Sequence, residues 1–344
     1  MNNVRLNVLL VSYNASEYIN ECVESILMQK TNFIFNIIVA DDSSSDDTLE
    51  KIKQIADKST VEFIFLSSDE NLGIKKNYKK GFNACSAEYI AILEGDDFWS
   101  DQNRLQKHVD FLDNHHECVM TSNNRIDARY SEASFVPFYN LNPEFTMYTD
   151  SNGSNYHLIS ARDTIKTLIG GNFSTCIYRK SGIDKLPSDW LGNSQFGDGK
   201  TNILVLSHGL MGYFTDVMNV YRIHDDGVWS GKNPIEQYSF IIKSYTEFNA
   251  YTNKRFDKEL TDVINWAMAQ EDICKNGDRT TDSEEIKNQI YEHVPESKKS
   301  KNFLLKKILR AAYMLTPSVF VCVLKLLTPR IITDKIRNLI NRSA

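Results

Sequence analysis

Two adjacent carboxylates carry the clearest chemical signal in the chain. Asp96 and Asp97 stand within the sequence EGDDFW, which begins at residue 94 and directly follows an apolar segment. Carboxylates at the end of a buried strand can bind Mg2+ or Mn2+ through one or two ligands, which leaves coordination positions for a diphosphate. The same pair could instead cap a helix that begins near Asp101. Taken alone, the pair leaves both interpretations open.

Four more side chains could take part in chemistry at such a site, and each also has a structural interpretation. Tyr13 could stack on a base or lie half-buried among other apolar side chains. Asp42 could contact a ligand or act as a turn residue in its acidic run DDSSSDD. Asp198, between two glycines, could be a general base or a turn acid. His224 could approach a metal or be a hydrogen-bonded structural histidine.

The first hundred residues alternate between short apolar segments and helical patterns. Strands are expected over residues 6–11, 34–40, 61–66 and 89–93. Helices are expected from Asn14 with Glu17 as capping partner, from Ser44 or Ser45, and over residues 75–85. This alternation predicts an α/β fold, with a Rossmann-like, mostly parallel sheet that carries helices on both faces. Ligands of such sheets bind beyond the carboxyl ends of the strands, where Tyr13, Asp42 and Asp96 stand.

The chain after residue 100 gives a more mixed pattern. Elements are expected as a helix over residues 102–112, a strand over 172–179, a helix over 203–210 and a charged helical region over 234–290. Residues 126–155 are rich in Tyr, Asn and Ser, and this composition predicts a loop region that could contact an acceptor.

Missing motifs argue against several classes of protein. No G-x-G-x-x-G follows the first strand, which disfavours a dinucleotide cofactor, and no G-x-x-x-x-G-K-[ST] occurs, which disfavours a P-loop. An acidic strand edge binds phosphates through a divalent metal rather than directly. The 6 cysteines are scattered without a C-x-x-C pair, which argues against a disulfide scaffold or a cysteine zinc site and favours a reducing compartment.

Charge is distributed unevenly along the 344 residues. The net charge of -6 combines +10 over residues 298–344 with -16 over the rest of the chain. The acidic body should not bind nucleic acid non-specifically, whereas the basic tail suits an anionic surface. The longest uncharged run of the tail, Ala311–Leu324, has 14 residues, and a spanning helix needs about 20. We therefore expect amphipathic helices on a membrane surface, or a helical pair packed on the body or on a partner chain.

Taken together, five motifs resemble those of the family 2 glycosyltransferases with the GT-A fold. They are SYN after the first strand, DDSSSDDT after the second, NLG before the third helix, EGDDFW after the fourth strand, and the segment over residues 196–231. That last segment is similar to the family's later G-D element followed by its Y-R-x-H element. The resemblance covers about two thirds of the chain, in matching order and spacing.

The resemblance implies a role for each matching residue of the donor site. Tyr13 and Asp42 would hold the uracil or the ribose of a nucleotide sugar. Asn71 and Lys76 would lie near the base and the phosphates, and Asp96 would face the ribose or a metal-bound water.

The remaining matches concern the metal and the reaction. The resemblance implies that Asp97 ligates Mn2+ or Mg2+ and that His224 approaches the metal or the diphosphate. Arg222 would stand beside His224 as a donor-binding residue. Asp198 matches the catalytic base, which takes the proton of the acceptor hydroxyl during attack.

Several positions depart from the family pattern. Glu94 stands where an aspartate is frequent, and Gly199 follows Asp198 where an aromatic residue is common. Lys76 replaces a frequent arginine and so loses bidentate contact to a phosphate. No Q-x-x-R-W motif occurs, so the resemblance does not extend to the processive synthases.

The resemblance implies an inverting, metal-dependent transferase. It would move a sugar from a nucleotide-sugar donor, expected to be UDP-linked, to a hydroxyl of a growing bacterial surface glycan or lipid-linked precursor. Two other classes stay open. A sugar nucleotidyltransferase should have a glycine-rich, basic first loop, whereas a non-catalytic nucleotide-sugar-binding protein need not keep Asp97 and Asp198 together.

The sequence also predicts a domain organisation and a location. A GT-A domain is expected over residues 1–232, a helical extension over 233–296 and a basic amphipathic tail over 297–344. The apolar run at the N-terminus is too short for a secretory signal. A cytoplasmic protein is therefore expected, held peripherally on the inner face of the cell membrane through its tail.

Overall fold

The computed structural model describes residues 4–66, 70–129, 134–138 (backbone only), 145–150, 153–167, 171–191, 197–225, 227–229 and 231–276. The strands are β1 (Leu6–Ser12), β2 (Phe35–Asp41), β3 (Phe63–Phe65), β4 (Tyr89–Glu94), β5 (Phe98–Trp99), β6 (Cys118–Arg129), β7 (Ser134–Phe138), β8 (Tyr148–Thr149), β9 (Asn155–Ile159), β10 (Ile177–Arg179) and β11 (Leu210–Arg222). The helices are α1 (Ile19–Leu27), α2 (Thr48–Ala56), α3 (Ile74–Ala84), α4 (Arg104–Asn114), α5 (Ala161–Thr167), α6 (Lys180–Ile183), α7 (Asp198–Leu206), α8 (Pro234–Tyr251) and α9 (Asp257–Asn276). The predicted basic tail, residues 297–344, and residues 277–296 of the predicted helical extension lie outside the described residues.

A central sheet organises the molecule. Its strand order is β3-β2-β1-β4-β10-β6-β11-β9-β8, with β5 beside β11 and β7 beside β6. The first four strands are parallel to one another. β10 pairs antiparallel with both β4 and β6, and β6 pairs parallel with β11. This mostly parallel sheet with its helices confirms the predicted α/β class.

Alternate side chains of β1 enter two different cores. Leu9 packs in one cluster with Phe82 of α3, whereas Val8 and Leu10 pack in another with Ile19 of α1. Every residue of β1 and of β2 is buried, because helices cover both faces of this part of the sheet. Such strands are recognisable in sequence as nearly continuous apolar runs.

The prediction of a loop region over residues 126–155 is wrong. β6 continues to residue 129, and β7, β8 and β9 all lie at least partly within this range. β11 is a further strand that the sequence did not predict. Buried amide side chains also link β6 to β11, since Nδ2 of Asn123 donates to Oδ1 of Asn219 at 2.7 Å. A search for apolar periodicity does not detect strands of this kind.

The first helix begins later than predicted. α1 starts at Ile19, and Asn14 has a left-handed backbone with φ 47°. Oδ1 of Asn14 accepts the backbone N–H of Ser45 at 2.8 Å. Asn14 therefore joins the loops that follow β1 and β2 instead of capping a helix, and it orders the sheet edge at which ligands bind.

Two helices follow the sheet and pack against each other and against the core. Asn233 and Glu236 form a capping box at the start of α8, and Pro234 is its first residue. Phe248 of α8 and Leu260 of α9 are buried in the same cluster as Phe82. No helix in the described ranges is both long enough and apolar enough to cross a membrane.

Candidate active site

The pairing of β5 with β11 brings distant parts of the chain to the turn after β4. Asp96 and Asp97 lie in the turn between β4 and β5. Phe98 of β5 pairs with Val220 of β11 in antiparallel register. The chain beyond Val220 therefore passes the turn and carries His224 to Asp96.

Asp97 is fully enclosed by protein, with 0% of its surface exposed. Its Oδ1 accepts the backbone N–H of Arg222 at 3.0 Å, and its Oδ2 accepts Nδ2 of Asn172 at 3.3 Å. Burial, together with the charges of Asp96 and Glu94, raises the pKa of the Asp97 carboxyl well above its usual range. Each carboxylate oxygen therefore has one protein donor, which fixes the orientation of this side chain, and the metal-ligand role expected for Asp97 stays a prediction.

Asp96 and His224 form the accessible pair at this turn. Oδ2 of Asp96 lies 3.2 Å from Nε2 of His224, and the two side chains are 35% and 20% exposed. The His224 ring packs against Tyr18 of α1, with 5.1 Å between the ring centres. An oxygen and a nitrogen that can both ligate a divalent metal therefore lie side by side at the rim.

The Arg222 side chain is buried and contacts protein groups. Its guanidinium donates to the carboxylate of Glu21 on α1 and to the backbone carbonyl of Asp96. It also stacks on two rings, 5.2 Å from the centre of Tyr18 and 4.6 Å from that of Phe98. Arg222 thereby fixes the turn against α1, and its donor-binding role stays a prediction.

The predicted donor-binding residues lie at the carboxyl edge of the first strands. Tyr13 follows β1 and is 52% exposed, and Asp42 follows the neighbouring strand β2. Oδ1 of Asp42 accepts the backbone N–H of Leu72 at 2.8 Å, which attaches the loop before α3 to this edge. Asn71 belongs to that loop, and Lys76 is exposed in the first turns of α3.

A glycine shapes the loop that carries Asn71. Gly73 precedes α3 with φ 81° and ψ 152°, a backbone conformation that side chains with a Cβ rarely adopt. The Asn71 side chain accepts the backbone N–H of Gly73 at 3.0 Å. The Asn71 residue is exposed beside this turn.

Asp198 is the first residue of α7, and its Oδ1 accepts the N–H of Gly199 at 2.7 Å. Burial raises the pKa of Asp198, while the charges of Arg125 and Lys200 oppose the shift. Burial and then the charge of Asp96 raise the pKa of Glu94, and the charge of Asp198 adds to this. The structure therefore brings Asp198 and Asp96 within electrostatic reach of the Glu94 carboxyl.

Sequence reasoning missed three residues of this region. Glu94 was noted only as a departure, yet it accepts the hydroxyl of Tyr78 at 2.6 Å within the carboxylate cluster. Glu21 holds Arg222, and Lys200 lies beside Asp198. No local pattern identifies the last two, because their partners come from other parts of the chain.

Comparison with known proteins assigns the family. The profile of glycosyl transferase family 2 matches residues 7–180. The chain therefore belongs to this family, and its fold is that of the GT-A glycosyltransferases, as the two structures below illustrate.

Two relatives show how far the sequence similarity extends. An uncharacterized protein of Mycobacterium tuberculosis is 28% identical over 236 residues, which is 65% of this chain and 60% of that protein. TuaG of Bacillus subtilis, a glycosyltransferase named for teichuronic acid biosynthesis, is 30% identical over 110 residues, or 31% of this chain and 41% of TuaG. The chain thus spans less than two thirds of the length of these relatives.

Two solved structures share the fold at low sequence identity. TarS of S. aureus, residues 1-349 with UDP-GlcNAc, superposes with a TM-score of 0.55 at 19% identity, over 76% of this chain and 72% of that one. A mannosyltransferase of Pyrobaculum calidifontis, bound to GDP-Man and Mn2+, superposes with a TM-score of 0.52 at 12% identity, over 95% and 88%. At these identities the similarity establishes the fold alone.

Proposed function

We propose that the protein transfers a sugar, with inversion, from a UDP-linked donor to a hydroxyl of a bacterial surface glycan or its lipid-linked precursor. The observation that carries this proposal is the contact between Asp96 and His224 at the ligand-binding edge of the sheet. Asp198 lies within electrostatic reach of the same carboxylate cluster. Family membership supports transfer chemistry at this edge.

Asp96 and His224 suit a divalent metal. Among the described residues no group of three or more His, Cys, Asp or Glu side chains is arranged to hold a metal ion. Mg2+ and related ions commonly take one or two protein ligands and complete their coordination with substrate phosphates and water. We assign the partly exposed Asp96, rather than the enclosed Asp97, as the carboxylate ligand. When bound, Mn2+ or Mg2+ would act as a Lewis acid on the leaving diphosphate.

The proposed base is Asp198. An acceptor hydroxyl is a weak nucleophile, so a carboxylate must take its proton as it attacks the anomeric carbon. Asp198 lies at the start of α7, where one of its oxygens accepts the Gly199 amide, and its other oxygen would take this role. A single displacement from the face opposite the diphosphate inverts the anomeric configuration.

The donor nucleotide would lie across the loops after β1 and β2. We assign Tyr13 and Asp42 to the base and ribose, with Asn71 and Lys76 near the base and phosphates. The bond between Asp42 and the Leu72 amide supports this assignment, because it holds the Asn71 loop beside the edge. Arg222 and Asp97 serve the donor site indirectly, by fixing the turn that carries Asp96.

The acceptor and the location are also proposals. The name of TuaG supports a cell-envelope polysaccharide as the acceptor class. The basic, apolar sequence of residues 298–344 supports attachment to an anionic membrane surface, where a lipid-linked acceptor would be within reach.

Donor hydrolysis tests the proposal directly. The protein is incubated with Mn2+ and a panel of UDP- and GDP-sugars, and release of the nucleoside diphosphate is measured. We expect slow hydrolysis of one donor, abolished by EDTA and by Asp96→Asn. Binding of a donor without turnover under any condition, with acceptors included, would instead indicate a non-catalytic binding protein.

A further inference from the structure

Lys200 is a mostly buried lysine that the proposed reaction does not use. The residue is 6% exposed and lies in the first turn of α7, close after Asp198 in the chain. Its Nζ lies 4.2 Å from the ring centre of Tyr245 and 5.7 Å from that of Phe240, both on α8. Cation–π attraction to these rings holds the ammonium beside the proposed base.

The N–H donors of this ammonium have no oxygen acceptor in the described part of the chain. Lys200 forms neither a hydrogen bond nor an ion pair through Nζ there, and the aromatic rings are its contacts. Nζ is not among the fully enclosed polar atoms of the described residues, so a ligand oxygen can reach it. A ligand oxygen at this point would supply the acceptor.

The charges around Lys200 balance one another before the reaction. Burial lowers the pKa of Lys200 to about 8, Asp198 and Glu247 raise it, and Lys75 of α3 lowers it. Lys200 is therefore mainly protonated at neutral pH. Together with Lys75 it gives two cations, which face the two carboxylates of Asp198 and Glu247. When Asp198 takes up the proton of the acceptor, this set gains one positive charge, which a bound anion would offset.

We propose that Lys200 forms an acceptor subsite for a carboxylate or phosphate substituent that lies near the reacting hydroxyl. The inference rests on the proposed function, because it uses Asp198 to mark the acceptor side. A hydrogen bond between an ammonium and an anionic oxygen is about twice as strong as a neutral one. The subsite would therefore select acidic sugars over neutral sugars of the same shape.

Ligand binding tests this subsite without requiring turnover. Saturation-transfer NMR at pH 7 measures the affinity of the full-length protein, with the diamagnetic Mg2+ and UDP, for methyl glucoside, methyl glucuronide and methyl glucoside 6-phosphate. We expect one acidic sugar to bind about tenfold more tightly than the neutral sugar. The comparison between glucuronide and phosphate identifies which anion the subsite takes.

Three variants separate the charge of Lys200 from its packing. Lys200→Met keeps an apolar stem between the rings and should abolish the preference, whereas Lys200→Arg should retain it. Lys53→Met, on the exposed side of α2, is the matched control and should bind as the unaltered protein does. Thermal unfolding shows whether each variant is folded, and Lys200→Arg carries the test if Lys200→Met is not.

The outcomes for the subsite and for the proposed function are distinct. Equal binding of acidic and neutral sugars, or a preference that persists in a folded Lys200→Met, overturns the subsite even if donor hydrolysis is observed. Loss of preference in Lys200→Met supports the subsite. Absence of donor hydrolysis together with that preference would refute the transferase and retain an anion-binding site.

Discussion

The backbone N–H of Arg222 donates to Oδ1 of Asp97 at 3.0 Å, across 125 residues of chain. The same residue extends its guanidinium to Glu21 of α1 and to the carbonyl of Asp96. One residue thus joins β11, the turn after β4 and the first helix. The orientation of the Asp96 side chain depends on this connection, although Arg222 need not touch the substrate.

Replacing Arg222 with Met should weaken the fold and the metal site together. The variant leaves the Glu21 carboxylate without its buried cation and the Asp96 carbonyl without its donor. We expect the free energy of unfolding in urea to fall by about 2 kcal/mol, below the usual cost for a broken buried pair because Glu21 is partly exposed. Because Arg222 orients the proposed metal ligand Asp96, its loss should also weaken Mn2+ binding by about 10- to 100-fold. Weaker donor binding with stability and Mn2+ affinity unchanged would instead support the donor-binding role predicted from sequence.

Asp96→Asn should abolish metal-dependent activity while leaving the fold intact. The amide keeps the size of the side chain but is a poor ligand for a divalent cation. We expect a loss of about 100-fold or more in donor hydrolysis, because a Lewis-acid metal contributes several kcal/mol to the barrier. The control is Asp57→Asn, at the exposed end of α2, which should retain full activity. Full activity of Asp96→Asn with Mn2+ would contradict the assignment.

Asp198→Asn should remove the base without affecting the donor. Loss of general-base catalysis lowers rates by about 100- to 10,000-fold. Calorimetry with a nucleotide sugar and Mn2+ should give unchanged donor affinity, since Asp198 is assigned to the acceptor side. Lost donor binding combined with normal transfer at saturating donor would show that the assignment is wrong.

The pH dependence of transfer should reflect the environment of Asp198. A base is active when ionised, so activity falls as the pH drops through its pKa. Because burial raises the pKa of Asp198, the acidic limb of kcat should lie above the ordinary aspartate value of 3.8. Lys200→Met removes an opposing positive charge and should move this limb to still higher pH. If the acidic limb of the pH profile does not move in Lys200→Met, the electrostatic interaction between Lys200 and Asp198 is contradicted.

Gly73→Ala should destabilise the protein through backbone strain. The φ of 81° and ψ of 152° at Gly73 lie in a region that is nearly restricted to glycine, and occupying it with alanine costs about 1–3 kcal/mol. Urea unfolding measures the change. Gly199→Ala in α7 is the control, because its Cβ would meet no atom within 4 Å and no positive φ is required there. Equal stabilities of the two variants would argue against this turn geometry.

Truncation after Glu296 should release the protein from anionic liposomes. This prediction rests on the sequence of residues 298–344, with its +10 charge and apolar clusters. Donor hydrolysis should persist, while transfer to a lipid-linked acceptor should fall far more than transfer to a soluble one. Unchanged co-sedimentation of the truncated protein at low salt would refute the membrane role and favour packing of the tail on protein.

The sequence predicted the first half of the sheet well for a physical reason. Strands β1, β2 and β4 are covered on both faces, so burial alone makes their sequences apolar. β6 and β11 are long strands whose Asn123 and Asn219 side chains bond to each other. Their stability depends on partners about a hundred residues away, and no local pattern contains that information.

For the two adjacent aspartates, the sequence likewise identified the residues but not their separate roles. Sequence identified both residue types and the turn that holds them. It could not determine which carboxylate faces protein, because that depends on the register between Phe98 and Val220. The placement of Asp97 against the Arg222 amide follows from this register, as does the placement of Asp96 beside His224. Lys200 was likewise undetectable, since its partner Tyr245 belongs to a helix beyond the sheet.

The late position of β11 has a consequence for protein synthesis. On the ribosome, the turn with Asp96 and Asp97 leaves the exit tunnel long before residues 210–224, which complete its surroundings. The nascent chain can pair β1 to β4 early, because all four strands lie within the first 94 residues. Until the later segment emerges, Asp96 has no His224 beside it and the Asp97 carboxylate has no Arg222 amide. A growing chain should therefore lack the assembled pair of Asp96 and His224 until about two thirds of the protein has been translated.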